Sequence, residues 1–97
     1  MTIVWSAQAL RDLISLRRYI AEHNPTAAAD TAARLLAAIE NLPDFPSQGR
    51  PGRLPETREL VVTGTPYIVP YRVSDDRLEI IAVIHGARQW PDADDRS

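Results

Sequence analysis

The chain has 97 residues, 44% of them hydrophobic and 25% charged, with a net charge of −2. This length fits one small globular domain, and the charge balance offers no overall attraction to nucleic acid. Cysteine and lysine are both missing, which excludes a disulfide framework, a thiol nucleophile, a cysteine zinc site and acid–base chemistry by lysine. We therefore expect neither a metal site nor another cofactor.

The N-terminal segment 2–5 is β-prone and is followed by Ser6, a favourable helix N-cap. The sequence predicts a short strand and then a first helix over 7–23. Apolar side chains occupy more than half of this helix's circumference, an arc too wide for one neighbouring element to cover. The residues expected to face a sheet are Leu13, Leu16 and Ile20. Those expected to face another helix or a partner protein are Leu10 and Ile14.

Charged side chains interrupt the first helix, so it is too polar to span a bilayer. The segment 1–5 has no basic start and no adequate apolar run, so it does not resemble a secretion signal. We therefore expect a cytoplasmic protein that does not contact a membrane.

A second helix is predicted to begin at Asn24-Pro25, a cap followed by proline at the first helical position. Its apolar stripe has helical spacing and consists of Ala28, Ala32, Leu35, Ile39 and Leu42. The many alanines of this segment allow two backbones to approach closely, so the two helices are expected to form an antiparallel hairpin.

The stretch 43–57 is rich in proline and glycine and is long for a connection in so small a domain, and such loops often carry function. Three arginines lie in or next to it: Arg50, Arg53 and Arg58. They can form a patch that faces phosphate or a partner's carboxylates. Alternatively, Arg50 and Arg53 solvate the loop, while Arg58 and Glu59 lie on the solvent face of a strand.

After residue 57 the apolar period changes from 3.6 to 2, which predicts strands over 58–63, 66–73 and 77–85. Pro70 cannot donate a hydrogen bond to a neighbouring strand, so we expect an edge or a bulge there. The third segment has an unbroken apolar centre, which indicates a strand covered on both faces or one that meets a partner.

These elements predict an α+β fold with a short N-terminal strand, an antiparallel helical hairpin and a three-stranded antiparallel β-meander. Both helices are expected on one face of the sheet, which leaves the other face uncovered. We expect a single domain over 1–97, in which 87–97 form a partly disordered tail.

Several short motifs occur in order from Val4 to Pro91. They are Ala9-Leu10-Arg11-Asp12-Leu13 with Tyr19-Ile20, Asn24-Pro25, Phe45-Pro46-Ser47-Gln48-Gly49-Arg50-Pro51-Gly52, Thr57-Arg58-Glu59-Leu60, Pro66-Tyr67-Ile68-Val69-Pro70-Tyr71-Arg72-Val73, and Ile84-His85-Gly86-Ala87-Arg88-Gln89-Trp90-Pro91. In order and spacing the chain resembles the ParE branch of the RelE/ParE toxin superfamily.

The resemblance implies the toxin of a bacterial type II toxin–antitoxin module. Its partner would be a ParD-like antitoxin whose extended C-terminal segment wraps the first helix and the sheet, in a hetero-oligomeric complex. The ParE branch further implies inhibition of DNA gyrase, a binding activity that needs no catalytic site in the toxin. Sequence-specific nucleic-acid binding by the toxin alone is not expected.

Toxins of the RelE type instead cut mRNA on the ribosome, using basic residues that include an arginine after the tyrosine of the penultimate strand. Here Ile68 follows Tyr67, and the lysines of those nucleases are missing, which favours the ParE interpretation. If the chain is nevertheless a nuclease, its candidate catalytic residues are Arg72, His85 and Arg88. The alternative role for His85 is a polar cap on the sheet. A third possibility is a degenerate toxin that only binds its antitoxin and aids operator repression.

The candidate residues for partner binding are those expected to be exposed or to carry a positive charge near a predicted surface. They are Leu10, Ile14, Arg17, Arg50, Arg53, Arg58, Arg72, Arg88 and Trp90. For Arg17 the alternative is a side chain whose apolar stem packs on the helix while its charge reaches water. For Trp90 the alternative is closure of the core.

Overall fold

The computed structural model describes residues 1–88, 90 and 91. Most of the predicted tail, residues 89 and 92–97, lies outside the described residues. The elements in chain order are β1 (Thr2–Trp5), α1 (Ala7–Ala21), α2 (Pro25–Glu40), β2 (Arg50–Pro51), β3 (Arg58–Val61), β4 (Tyr67–Ser74), β5 (Arg77–Ile80) and β6 (Ile84–His85).

The strands form one mixed sheet in the order β1-β5-β4-β3-β2, and β6 pairs with β4. The predicted antiparallel meander is confirmed as β3, β4 and β5. The sheet is larger than predicted because β1 joins it parallel to β5, with Trp5 opposite Ile80. The α+β class is therefore confirmed, with a mixed sheet in place of three antiparallel strands.

Both predicted helix starts are confirmed by their capping hydrogen bonds. The Ser6 hydroxyl accepts from the Ala9 amide at 3.0 Å, and the Asn24 carbonyl oxygen accepts from the Ala27 amide at 3.0 Å. These side chains satisfy amides that the first turn of a helix leaves without an intrahelical partner. A short connection after Ala21 leads directly into α2, so the two helices form the predicted hairpin.

The main core lies between the helical hairpin and one face of the sheet. The predicted stripe of α2 is buried throughout and packs with residues of α1 and of β4. On β4 the residues of this face alternate as expected for a strand: Tyr67, Val69 and Tyr71. We call this the helix face of the sheet and the opposite one the far face.

The far face was expected to be uncovered, and this is wrong for one end of it. A second, smaller cluster lies there, formed by Ile68, Ala82 and Ile84, and Trp90 packs against it. The part that the described residues leave uncovered lies toward the other end of β4, where Arg72 and Ser74 are exposed. The segment after β6 therefore closes part of the far face with the chain's own residues.

The predicted strand 77–85 is divided in two by a bulge. Tyr71 pairs with Ile80, but Ile68 pairs with Ile84, so the three residues 81–83 of one strand lie opposite the two residues 69–70 of the other. The bulge lies beside Pro70, as predicted from its missing donor, although β4 is a central strand and not an edge.

Two polar side chains of the α1 region bind the backbone of this bulge. The Ser6 hydroxyl donates to the Ile81 carbonyl at 2.7 Å, and the Asp12 carboxylate accepts from the Val83 amide at 2.9 Å. The Ile81 amide donates to the Pro70 carbonyl at 2.9 Å. Backbone groups that lose their sheet partner at a bulge are thus satisfied by the N-terminal part of α1.

The long connection 43–57 is held against the sheet by hydrogen bonds. The buried Tyr71 hydroxyl accepts from the Gly49 amide at 2.9 Å and donates to the Pro46 carbonyl at 2.7 Å. Arg58 donates to the Gly49 carbonyl at 2.8 Å. A side chain at position 49 would place its Cβ 2.7 Å from the Tyr71 ring, so this close approach requires glycine.

Candidate functional site

The loop arginines Arg50 and Arg53 converge on Glu59 of β3. The Glu59 side chain is 1% exposed, although a solvent-facing position was one of the sequence interpretations. Its carboxylate accepts from the Arg53 backbone amide at 2.9 Å and from the Arg50 guanidinium at 3.3 Å, and the Arg53 guanidinium lies 3.5 Å away. Glu59 thus gives both arginines an ion-pair partner within the chain. Each also keeps a solvent-accessible part, 54% for Arg50 and 36% for Arg53.

Arg72 lies on the far face of β4, in the uncovered part. Its guanidinium is 3.7 Å from the carboxylate of Glu79 on β5, and both side chains are about half exposed. Ser74 and Arg77 line the same shallow depression. An exposed pair of this kind contributes little to stability, and the role of Arg72 in partner binding stays a prediction.

A groove of about 420 Å³ lies between α1 and the sheet edge formed by β6. Its lining residues come from α1, β4 and the segment around β6, and are Asp12, Ser15, Leu16, Tyr19, Tyr67, Val83, Ile84, His85 and Arg88. Aromatic rings, one imidazole and one guanidinium therefore share one concave surface.

His85 is held in this groove by two contacts. Its ring lies edge-on to the Tyr67 ring, with centroids 5.7 Å apart at 80°. Its Nδ1 accepts a hydrogen bond from the Ala87 amide at 3.1 Å. Because Nδ1 is an acceptor, a neutral His85 carries its proton on Nε2. The role of a polar cap at the end of the sheet is compatible with these contacts.

The structure separates the three residues named as candidates for a nuclease site. His85 and Arg88 line the same groove, while Arg72 faces the opposite side of β4. Sequence reasoning missed Tyr19 and Tyr67, which line the groove with them. The spacing of Asp12, Ser15 and Tyr19 along one helix face was the available signal.

Tyr67 has a pKa above its ordinary value of 10.0, because burial disfavours the phenolate and the nearby Tyr19 adds charge repulsion. The unfolded chain therefore loses this proton at a lower pH than the folded chain does. The stability that depends on the protonated phenol is fully present below pH 10.0 and is lost as the pH rises through the folded value.

We expect the free energy of unfolding to fall in alkaline solution more steeply for the unsubstituted chain than for Tyr67→Phe. Urea unfolding at about pH 9 and about pH 11 measures both. Equal losses in the two proteins would show that Tyr67 does not carry the effect. Tyr19→Phe removes only the smaller cause of the shift, so it is expected to keep most of the alkaline loss that burial of Tyr67 produces.

The first helix carries an exposed apolar surface on another side. Leu10 is 48% exposed and Ile14 53%, and Arg17, one turn further on, is also exposed. Leu16 is buried, and Leu13 and Ile20 pack against the core, which confirms the side of the helix that was predicted to face the sheet. That Leu10 and Ile14 face a partner stays a prediction. We call Leu10, Ile14 and Arg17 the α1 patch.

Trp90 packs against the chain's own residues, as the alternative considered for it requires, and its role in partner binding stays a prediction. Its ring packs against the far-face cluster, and it remains partly exposed. Its carbonyl accepts from the Arg53 guanidinium at 3.1 Å. The loop with Arg53 and the segment with Trp90 therefore meet over the far face, at the end away from Arg72.

The fold and these surfaces can be compared with known proteins. The family model of the ParE toxin of type II toxin–antitoxin systems (parDE) matches residues 3–90. The chain belongs to this toxin family. Toxin Y4kP of Sinorhizobium fredii is 47% identical over 89 residues, which cover 92% of each chain. Toxin RelE2 of Caulobacter vibrioides is 40% identical over 86 residues, covering 89% of this chain and 96% of the relative.

The fold of this ParE-family toxin is also that of a solved structure. The chromosomal ParDE toxin–antitoxin system from P. aeruginosa matches with a TM-score of 0.79 and 24% identity, over 88% of this chain and 95% of that one. A likeness at this identity concerns the fold. Among the residues that the structure describes, neither α1 nor α2 is long and apolar enough to cross a membrane.

Proposed function

We propose that this toxin inhibits DNA gyrase in the bacterial cytoplasm by binding it, and that a cognate ParD-like antitoxin neutralises the toxin. The observation that carries the proposal is the position of Arg72 and His85 on opposite faces of the sheet. Cleavage of RNA by its own 2′-hydroxyl requires an acid and a base within reach of one phosphate. A basic group on each face favours binding over such chemistry.

The antitoxin is expected to cover the α1 patch. Two half-exposed apolar side chains one helical turn apart are what an amphipathic partner segment buries. The neighbouring Arg17 supplies a positive charge for an acidic side chain of the partner. In the absence of antitoxin, growth arrest is the expected consequence, and plasmid stabilisation would follow from the antitoxin's faster loss.

Purified gyrase provides the direct test. At micromolar concentration the toxin is expected to reduce supercoiling and to increase the gyrase–DNA cleavage complex, and an equimolar amount of antitoxin is expected to restore activity. Neither inhibition nor accumulation of the cleavage complex would contradict the proposal. Heat-denatured toxin at the same concentration controls for non-specific effects on the assay.

Ribosome-dependent cleavage of mRNA is the second candidate, favoured by the convergence of His85, Arg88 and two tyrosines in one groove and by the relative named RelE2. Primer extension on mRNA from induced cells would then show cuts in register with codons. Loss of these cuts in a His85→Ala, Arg88→Ala variant would establish this function. If the chain neither cuts mRNA nor inhibits gyrase nor arrests growth, it is a degenerate toxin that binds antitoxin.

A further inference from the structure

Two arginines of neighbouring strands lie at the end of the far face that no described segment covers. Arg72 of β4 is opposite Glu79 of β5, and Ser74 is opposite Arg77, so these four side chains share one face. They line a shallow depression of about 190 Å³. Arg72 and Arg77 are diagonal neighbours in this ladder, at a distance of about 7–8 Å, so both guanidinium groups can reach one ligand between them.

The positive charge of this depression is only partly compensated. The Arg72 guanidinium is 3.7 Å from the Glu79 carboxylate, and a pair that is about half exposed is held weakly enough for another anion to replace the glutamate. In the turn before Arg77, the Asp76 carboxylate lies 3.4 Å from the N-terminal ammonium group. Two guanidinium groups therefore line the depression with one carboxylate, in a chain whose net charge is −2.

The positive charge continues across the same face to β2. Arg50 is opposite Glu59, which is itself opposite Pro70 of β4, so Arg50 also lies on the far face. Its side chain is 54% exposed above the buried glutamate. With about 4.8 Å between strands and about 3.3 Å per residue along them, Arg50, Arg72 and Arg77 form a diagonal of about 20 Å. We call these three residues the arginine row.

We propose that the arginine row contacts the phosphate backbone of the duplex DNA that gyrase holds. Taking DNA as the ligand rests on the function proposed above, in which the toxin acts on gyrase engaged with DNA. Guanidinium groups bind phosphate oxygens through paired N–H donors, and the Ser74 hydroxyl adds a donor between Arg72 and Arg77. Phosphates of one DNA strand follow each other at about 3.4 Å along the helix axis, so the row spans several of them. Such a contact reads no base.

A titration of isotope-labelled toxin with a short DNA duplex at low ionic strength tests the contact, followed by the NMR shifts of the backbone amides. The shifts are expected at Arg50 and over 72–79, and two duplexes of unrelated sequence should give the same affinity. Shifts confined to other surfaces, or none at all, would overturn the inference.

Matched variants assign the titration to the arginines. The double variant Arg72→Ala, Arg77→Ala is expected to bind the duplex about tenfold more weakly. Arg11→Ala removes an exposed arginine from α1 and should leave the affinity unchanged. Glu79→Gln is expected to strengthen binding about threefold, because it removes a carboxylate that repels the phosphate. An equal loss in Arg11→Ala would mean that net charge, and not the arginine row, governs binding.

Affinity for gyrase with and without DNA distinguishes a phosphate contact from a contact with acidic protein residues. The double variant is expected to bind the gyrase–DNA complex about tenfold more weakly than the unsubstituted toxin, and DNA-free gyrase equally well. An equal loss without DNA would overturn the inference and leave the proposed function intact. A toxin that binds gyrase in neither form would overturn the proposed function, and with it the place of this DNA contact on gyrase.

Discussion

The Glu59→Ala variant is expected to lose about 3 kcal/mol of unfolding free energy, because a buried carboxylate holds the long loop to the sheet. The substitution removes the acceptor of the Arg53 backbone amide and of the Arg50 guanidinium, and it removes the ion-pair partner of the Arg53 guanidinium. It also leaves a cavity in place of a side chain that is 1% exposed. The half-exposed arginines remain solvated, which keeps the loss below that of a fully buried pair. Urea unfolding followed by circular dichroism measures it.

Glu79→Ala is the matched control, since Glu79 is also a strand carboxylate on the far face next to an arginine. Its side chain is 44% exposed, so the expected loss is within about 1 kcal/mol. Similar losses for the two variants would show that burial of Glu59 does not distinguish them. A Glu59 variant as stable as the unsubstituted chain would mean that the loop arginines do not anchor the loop.

The Ile14→Asp variant is expected to bind antitoxin about 100-fold or more weakly, and to escape neutralisation in cells. An unpaired carboxylate in the centre of an apolar interface loses its hydration without gaining a partner. Because Ile14 is 53% exposed in the isolated toxin, folding should change by no more than about 0.5 kcal/mol. Isothermal titration calorimetry with the antitoxin gives the affinity.

Phe45→Asp is the control for this variant. Phe45 is a large apolar residue that is 61% exposed, but it lies in the loop after α2 and not on the α1 patch. The Phe45→Asp variant is expected to bind the antitoxin with unchanged affinity. If Phe45→Asp weakens binding as much as Ile14→Asp does, the antitoxin does not select the α1 patch.

Features that depend on neighbours in the chain could be predicted. Ser6 and Asn24 cap their helices through amides three residues away, and the spacing of apolar residues along α2 placed its buried stripe correctly. Such interactions need only local geometry. The α1 patch could also be predicted, because the apolar arc of the first helix was wider than a small domain can cover.

Features that depend on distant pairing could not be predicted. The parallel position of β1 beside β5 joins residues that are 75 positions apart in the chain. Burial of Glu59 requires the loop to fold back over β3, and a carboxylate on an alternating strand indicates a solvent face until that loop is in place. Likewise, no local sequence pattern predicts that the Ser6 and Asp12 side chains form hydrogen bonds with the backbone of the bulge in the last strand.

The family, the helical hairpin, the meander and a break in pairing at Pro70 follow from the amino-acid sequence alone. Which side chains share a surface depends on how distant segments pack together. In an unbroken strand 77–85, alternation would place His85 on the face of Glu79 and Arg72. The one extra residue of the bulge reverses that alternation, so His85 pairs with Tyr67 and faces the helices instead. A single unpaired residue thereby separates Arg72 from His85, two of the three residues that the sequence had suggested as one site.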